Sequence, residues 1–192
     1  MGPLLIISGP SGSGKSTIVS RLIAMPELRL RQSISATTRP RRDGERDGEH
    51  YFFLTDEEFR SMIERGEFLE WAEVHGRKYG TIRRLVDEWR REGWGVVLVI
   101  DVQGAEAVRR AYPEAVSIFV KTSSLEILEQ RLRQRQSESE ESIQRRLANA
   151  RGELARASEF TYQVVNDDLD RAVAEIRSII LDHKREDSKH AG

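Results

Sequence analysis

The chain has no cysteine. That excludes a disulfide framework, a thiolate nucleophile and any thiolate-ligated zinc or iron–sulfur centre, and it fits a reducing, cytoplasmic setting. A surplus of charge of one sign is missing too: 31 basic and 32 acidic residues leave a formal net charge of −1 over 192 residues. With no global field to gather nucleic acid or an anionic membrane, neither is expected as a partner, and phosphate binding has to come from local placement. Long apolar runs are also lacking. The first, Leu4 to Ile7, is too short to cross a bilayer and has neither a basic leader nor a small-residue cleavage site, so nothing points to export. Internal repeats and low-complexity linkers are absent as well. A chain of this length is expected to hold one cooperative core with an insertion or two.

What is there begins with a strand, a loop and a helix. The uninterrupted run Leu4-Leu5-Ile6-Ile7 predicts a buried strand, and a helix opens near Lys15. Between them stands Gly9-Pro10-Ser11-Gly12-Ser13-Gly14-Lys15-Ser16, which fits G-x-x-x-x-G-K-[ST] in the context that the motif requires. Glycine permits the tight turn that points successive backbone N–H groups at phosphates and leaves no Cβ in the way. Lys15 is placed to neutralise β- and γ-phosphate oxygens, Ser16 to offer a hydroxyl to magnesium, and the helix N-terminus, with Thr17, adds its partial positive charge. A glycine turn that merely caps a helix is the plain alternative, but a chance match in this context is rare. The motif therefore predicts a phosphotransferase that uses ATP with magnesium.

Further along, Pro26 ends the first helix and Glu27 to Leu30 reads as a short connection. Residues 33–54 have strand-and-turn composition around Pro40, ending in Tyr51-Phe52-Phe53. Thr55 and Glu58 form a capping box for a short helix that stops at Gly66. Ile82, Leu85, Val86 and Trp89 mark one face of another helix, stopped by Gly93, before the buried strand Val96 to Ile100. A helix around 106–111 and a strand over 116–120 continue the alternation. Ser123 with Glu126 signals a helix rich in arginine, and a second helix follows the polar stretch 136–142, so the two read as a mobile hairpin. A strand over 163–166, a helix carrying Ala172, Val173, Ile176, Ile179 and Ile180, and a frayed tail from Lys184 complete the chain. This order predicts an α/β fold with a parallel sheet flanked by helices.

Outside the loop, the candidate residues are open to two readings each. Asp101 ends a buried strand, where a carboxylate holds magnesium, directly or through water, or only caps the next helix. Arg39 and Arg42, with Tyr51, offer donor forks and a hydroxyl to an acceptor phosphate, or form a solvated charge run. Glu70 presents two acceptors side by side, which match the N1–H and 2-amino group of guanine and mismatch adenine, or it is a surface glutamate. The hairpin arginines either surround a transferring phosphoryl group or coat a solvated helix.

Taken together, these segments resemble guanylate kinase over nearly the whole chain. The resemblance is carried by the loop from Gly9 to Ser16 and by Ser35-Ala36-Thr37-Thr38-Arg39-Pro40-Arg41-Arg42, Asp47 to Phe53, Gly66 to Ala72, Tyr79-Gly80-Thr81, Ile100 to Ala105 and Val165-Asn166-Asp167, in family order. It implies a P-loop kinase with a five-stranded parallel core sheet, in three parts. These are a core over 1–33, 86–125 and 158–192, a mixed α+β GMP-binding insertion over 34–85, and a helical lid over 126–157. It assigns the GMP phosphate to Ser35, Arg39, Arg42, Tyr51 and Tyr79, and the guanine base to Glu70 and Thr81, with Asp101 beside them. It puts Arg135 and Arg146 on the ATP phosphates and Asn166 and Asp167 beside the adenine. Lys15, Arg39, Arg42, Arg135 and Arg146 then surround the group in flight. Val99 stands where the family commonly carries an acidic residue, and Gln136 where it usually has glycine. The implied partners are ATP and GMP or dGMP, with room for a homo-oligomer. A non-catalytic module that binds a phosphorylated partner, and a kinase on the same scaffold with another acceptor, are the competing readings; the complete loop and the arginines oppose the first, and Glu70 with Thr81 the second.

Overall fold

The computed structural model describes residues 1–74, 76–134 and 139–190. The chain runs β1 (Leu4–Ser8), α1 (Lys15–Ile23), β2 (Leu30–Gln32), β3 (Ser35–Thr37), β4 (Phe52–Phe53), α2 (Asp56–Glu64), β5 (Phe68–Val74), β6 (Arg77–Ile82) and α3 (Arg83–Arg91). It continues with β7 (Gly95–Val99), α4 (Val102–Ala111), β8 (Val116–Lys121), α5 (Leu125–Arg133), α6 (Glu140–Ala155), β9 (Tyr162–Val165) and α7 (Leu169–His190).

Five strands form a parallel sheet in the order β2-β7-β1-β8-β9. β1 is buried along its whole length because both of its faces are covered. By the two-residue alternation of a strand, Leu5 and Ile7 pack with α1 and α7 on one side, while Leu4 and Ile6 pack with residues of α3 and α4 on the other. Each such fully buried aliphatic side chain contributes about 1.5–3 kcal/mol to folding. The phosphate loop therefore leaves the C-terminal end of the central strand, on a rigid base.

A second, four-stranded sheet, ordered β4-β3-β6-β5, carries its own small apolar cluster of Ala36, Phe59 and Phe68. Phe59 from α2 stacks on Phe68 with ring centroids 4.4 Å apart. The Thr55–Glu58 capping box that opens α2 is formed as the sequence predicts. The helical pair α5 and α6 is joined by a third cluster, in which Leu128 and Leu132 meet Ile143, Leu147 and Ala150.

Four local readings are corrected. Leu30 to Gln32, beyond a 3-10 turn at Pro26–Leu28, is the edge strand β2, too short for any period to show. The cap of α5 is Ser124, whose hydroxyl accepts from Ile127 N–H, while the Ser123 N–H donates to Asp167 Oδ1 at 3.0 Å. Ile82 ends a strand and starts no helix face. The last helix runs through to His190, past Lys184, whose ammonium donates to the Leu28 carbonyl at 2.6 Å and ties the helix to the core.

Candidate active site

Gly14 takes a left-handed conformation, φ 91°, and lets the chain turn from the loop directly into α1. A Cβ there would lie 2.2 Å from Asn166 Nδ2, so the close approach also requires glycine. Asn166, buried at the end of β9, donates from that nitrogen to the Ser13 carbonyl at 2.7 Å. Lys15 lies over its own loop, its ammonium donating to the Gly9 carbonyl and, at 2.9 Å, to that of Pro10. Ser16 and Thr17 sit in the first turn of α1. Gly12, Gly14, Thr17, Asn166 and Asp167 line one cleft with Arg131.

The other wall of the site is one face of the second sheet. Antiparallel pairing sets Ser35 and Glu70 opposite Thr81, and Thr37 and Ala72 opposite Tyr79, so these residues share a face. A register shift between Phe68 and Glu70 is decisive. It lets Phe68 enter the cluster of the second sheet and Leu69 the main core while Glu70 turns into the cleft. Thr81 is buried beneath Glu70 and donates its hydroxyl proton to Oε1 at 2.6 Å. Burial pushes the Glu70 carboxyl up to about 7, against the Thr81 hydrogen bond and aided by the negative charge of Asp101.

Ser35, Tyr51, Glu70, Tyr79 and Asp101 line a cavity of about 500 Å³ together with Ser11 of the phosphate loop, Arg146 of α6 and the half-buried Val99. The structure thus brings five of the predicted acceptor residues to one place and sets the phosphate loop beside them. Asp101 caps α4, its Oδ1 accepting from Gly104 N–H at 2.8 Å, and it lines the cavity as well. Tyr51 and Tyr79 meet edge to face, centroids 6.1 Å apart, and burial raises the Tyr51 hydroxyl above its ordinary value.

Arg39 stands at the rim, its guanidinium 5.4 Å from the Tyr51 ring centroid. It is gripped by Glu45, which takes the guanidinium fork at 2.7 and 3.0 Å and also accepts from the Arg42 N–H at 2.8 Å. The Arg39 hydrogen bond holds the Glu45 carboxyl down to about 2, so the pair stays ionised. Arg42 itself is exposed. Glu45 was not among the sequence candidates, although its place three residues after Arg42 in a glycine-containing turn was a signal that could have been used.

Arg146 reaches from α6 to the phosphate loop, where its Nη1 donates to Ser11 Oγ at 2.8 Å. Arg135, the other lid arginine, lies outside the described residues, as does Gln136. Glu153, two turns beyond Arg146, is a second residue that sequence reasoning missed. It shares a cavity with Asp101 and another with Ser11 and Arg146, and burial raises its carboxyl while Lys15 lowers it and Asp101 raises it. Its spacing of seven from Arg146 puts both on one helix face.

With a phosphate loop on one wall of a cleft and a buried carboxylate on the other, the molecule falls in the class of P-loop kinases that phosphorylate small nucleotides. Comparison with known proteins narrows the class. The guanylate kinase family model matches residues 1–183. The chain is 50% identical over 184 residues to a guanylate kinase of Symbiobacterium thermophilum, covering 95% of this chain and 86% of that one. It is 49% identical over 180 residues to that of Rubrobacter xylanophilus, covering 93% of each. The crystal structure of guanylate kinase from Anaplasma phagocytophilum superposes with a TM-score of 0.75 at 32% identity, over 93% of this chain and 84% of that one. The chain belongs to the guanylate kinase family.

Proposed function

We propose that the chain transfers the γ-phosphoryl group of ATP to GMP, and also to dGMP, giving ADP and GDP or dGDP. The observation that carries the reading is the Glu70–Thr81 pair. The hydroxyl occupies one lone pair of Oε1, which leaves the carboxylate with acceptors for a planar donor pair, and guanine is the purine that presents one. Adenine would set an acceptor N1 against the carboxylate.

In this reading the transfer needs no covalent intermediate and no obligatory base, only alignment and cations. Ser35, Arg39, Arg42, Tyr51 and Tyr79 hold the acceptor phosphate, with Glu45 fixing the fork of Arg39. Lys15 and the loop from Gly9 to Ser16 hold the ATP phosphates, Arg146 approaches them from α6 with Arg135 as the second lid arginine, and Asn166 and Asp167 flank the adenine. The residues fit magnesium: Ser16 stands in the first turn after the loop, and among the described residues no group of three or more His, Asp or Glu forms a protein cage. Ser16, and Asp101 directly or through water, would hold such an ion beside the phosphates. When bound, it supplies charge neutralisation between the β- and γ-phosphates.

The same reading divides the chain into a core (1–33, 86–125, 158–192), a GMP-binding insertion (34–85) and a lid (126–157), and places it in the cytoplasm. No helix among the described residues is long and apolar enough to cross a membrane. The test is a coupled ADP-release assay with ATP, magnesium and GMP, dGMP, AMP, CMP, UMP or ribose phosphates, on wild type and Glu70→Ala. Turnover confined to GMP and dGMP and strongly reduced by the substitution is expected; turnover indifferent to the base would sink it.

A further inference from the structure

Gly104 lies in the first turn of α4, where its N–H is bonded to Asp101. Its φ is not among the positive values, so no backbone strain calls for glycine, and glycine is the poorest helix former after proline. Space does call for it. A Cβ at this position would lie 2.7 Å from Glu70 Oε2 and 3.1 Å from Glu70 Cδ, well inside contact distance. The carboxylate is therefore held on two sides, by the Thr81 hydroxyl on Oε1 and by the bare Cα of residue 104 on Oε2.

We infer that Gly104 is a positioning residue for base specificity: the side chain it lacks is the space into which Glu70 must fit in order to face the acceptor base. The inference rests on the reading of Glu70 as the guanine-recognising group. The argument turns on what would give way. Gly104 is fully enclosed on a helix packed against the main core, where Val102, Ala105 and Val108 are buried, whereas the Glu70 carboxylate is the far end of a flexible side chain. An added methyl group would displace the carboxylate and leave the helix in place. The planar match to two guanine donors depends on the direction of both oxygens, so a shift of a few tenths of an ångström is felt in acceptor binding and hardly at all in the ATP site on the other wall.

The experiment compares Gly104→Ala, Glu70→Asp, Glu70→Ala and Gly104→Ala combined with each of the two Glu70 substitutions, with KM and kcat measured for GMP, for IMP, which lacks the 2-amino group, and for ATP, alongside Tm. Gly104→Ala is expected to raise KM for GMP at least about tenfold and to reduce the preference for GMP over IMP, with KM for ATP within about twofold and Tm not lowered. Because aspartate is shorter by one methylene, the penalty of Gly104→Ala should shrink to about threefold or less on the Glu70→Asp background. Unchanged KM for GMP in Gly104→Ala, or the same penalty on the Glu70→Ala background, overturns the inference while leaving the reading of Glu70 intact. If Glu70→Ala itself leaves KM for GMP and the GMP preference untouched, that reading fails first and the inference falls with it.

Discussion

The side-chain amide of Asn166 closes on the carbonyl of Ser13 at 2.7 Å and so ties the end of the last strand to a loop 153 residues earlier. The bond is buried. The structure therefore gives Asn166 work on the shape of the phosphate loop.

Asn166→Ala is expected to raise KM for ATP about tenfold, the equivalent of one buried hydrogen bond, and to leave KM for GMP nearly unchanged. Steady-state kinetics with each substrate varied in turn would check this. An equal rise in both constants would mean that the substitution acts on the fold as a whole.

Glu70 provides a pH signature. Its carboxyl is raised from 4.5 to about 7. In the proposed reading guanine binding requires the ionised form, so KM for GMP should fall as pH rises from 6 to 8, and Glu70→Gln should hold KM high and flat across that range. Stability moves the other way. Between the unfolded value and the folded one, the folded chain binds more protons, so stability falls as pH rises through that window, by up to about 3 kcal/mol. Glu70→Gln should therefore melt higher than wild type at pH 8 and alike near pH 4.5; identical shifts at both would refute the burial cost.

Glu45 acts at one remove from the ligand. Glu45→Ala removes the two bonds by which the carboxylate holds the Arg39 fork and leaves the one to the Pro40 carbonyl, and KM for GMP should rise about tenfold with kcat for saturating GMP less affected. Because its carboxyl is held near 2, the wild-type effect should show no dependence on pH between 5 and 9. Titration of GMP binding by calorimetry would show the loss as a reduced enthalpy.

The base of the helical pair is clamped ionically. Arg156 at the end of α6 bridges Glu106 of α4 at 2.8 Å and Glu159 at 2.7 Å, and Arg109 of α4 reaches the same Glu159 at 3.1 Å. Limited proteolysis should show protection of residues 126–157 only when both nucleotides are present. Arg156→Ala should weaken that protection, and cleavage that ignores the nucleotides would count against closure.

The phosphate loop could be read from the sequence because its chemistry is local: a fixed spacing of glycines, Lys15 and Ser16 between an apolar run and a helix. The parallel sheet was legible for a similar reason, since Leu4 to Ile7 and Val96 to Leu98 are continuous buried runs. Glu70 could not be told from a surface glutamate, because what buries it is a bulge that breaks the alternation of β5. β2 escaped notice because three residues are less than two periods of any pattern. Gly104 and Glu153 were invisible for a further reason: each matters through neighbours distant in sequence, and Gly104 also through the side chain it does not have.

The small apolar cluster around Phe59 and Phe68 belongs to the second sheet alone, and Asn166, Gly14 and Lys15 owe nothing to it. The proposed acceptor wall thus has a nucleus of its own beside the main core that Leu69 and α4 share, and filling one site need not create the other. In kinetic terms, neither nucleotide has to arrive first: initial-rate patterns with both substrates varied should intersect, product inhibition should follow a random order of addition, and a chain of this design can take up whichever nucleotide diffuses in first.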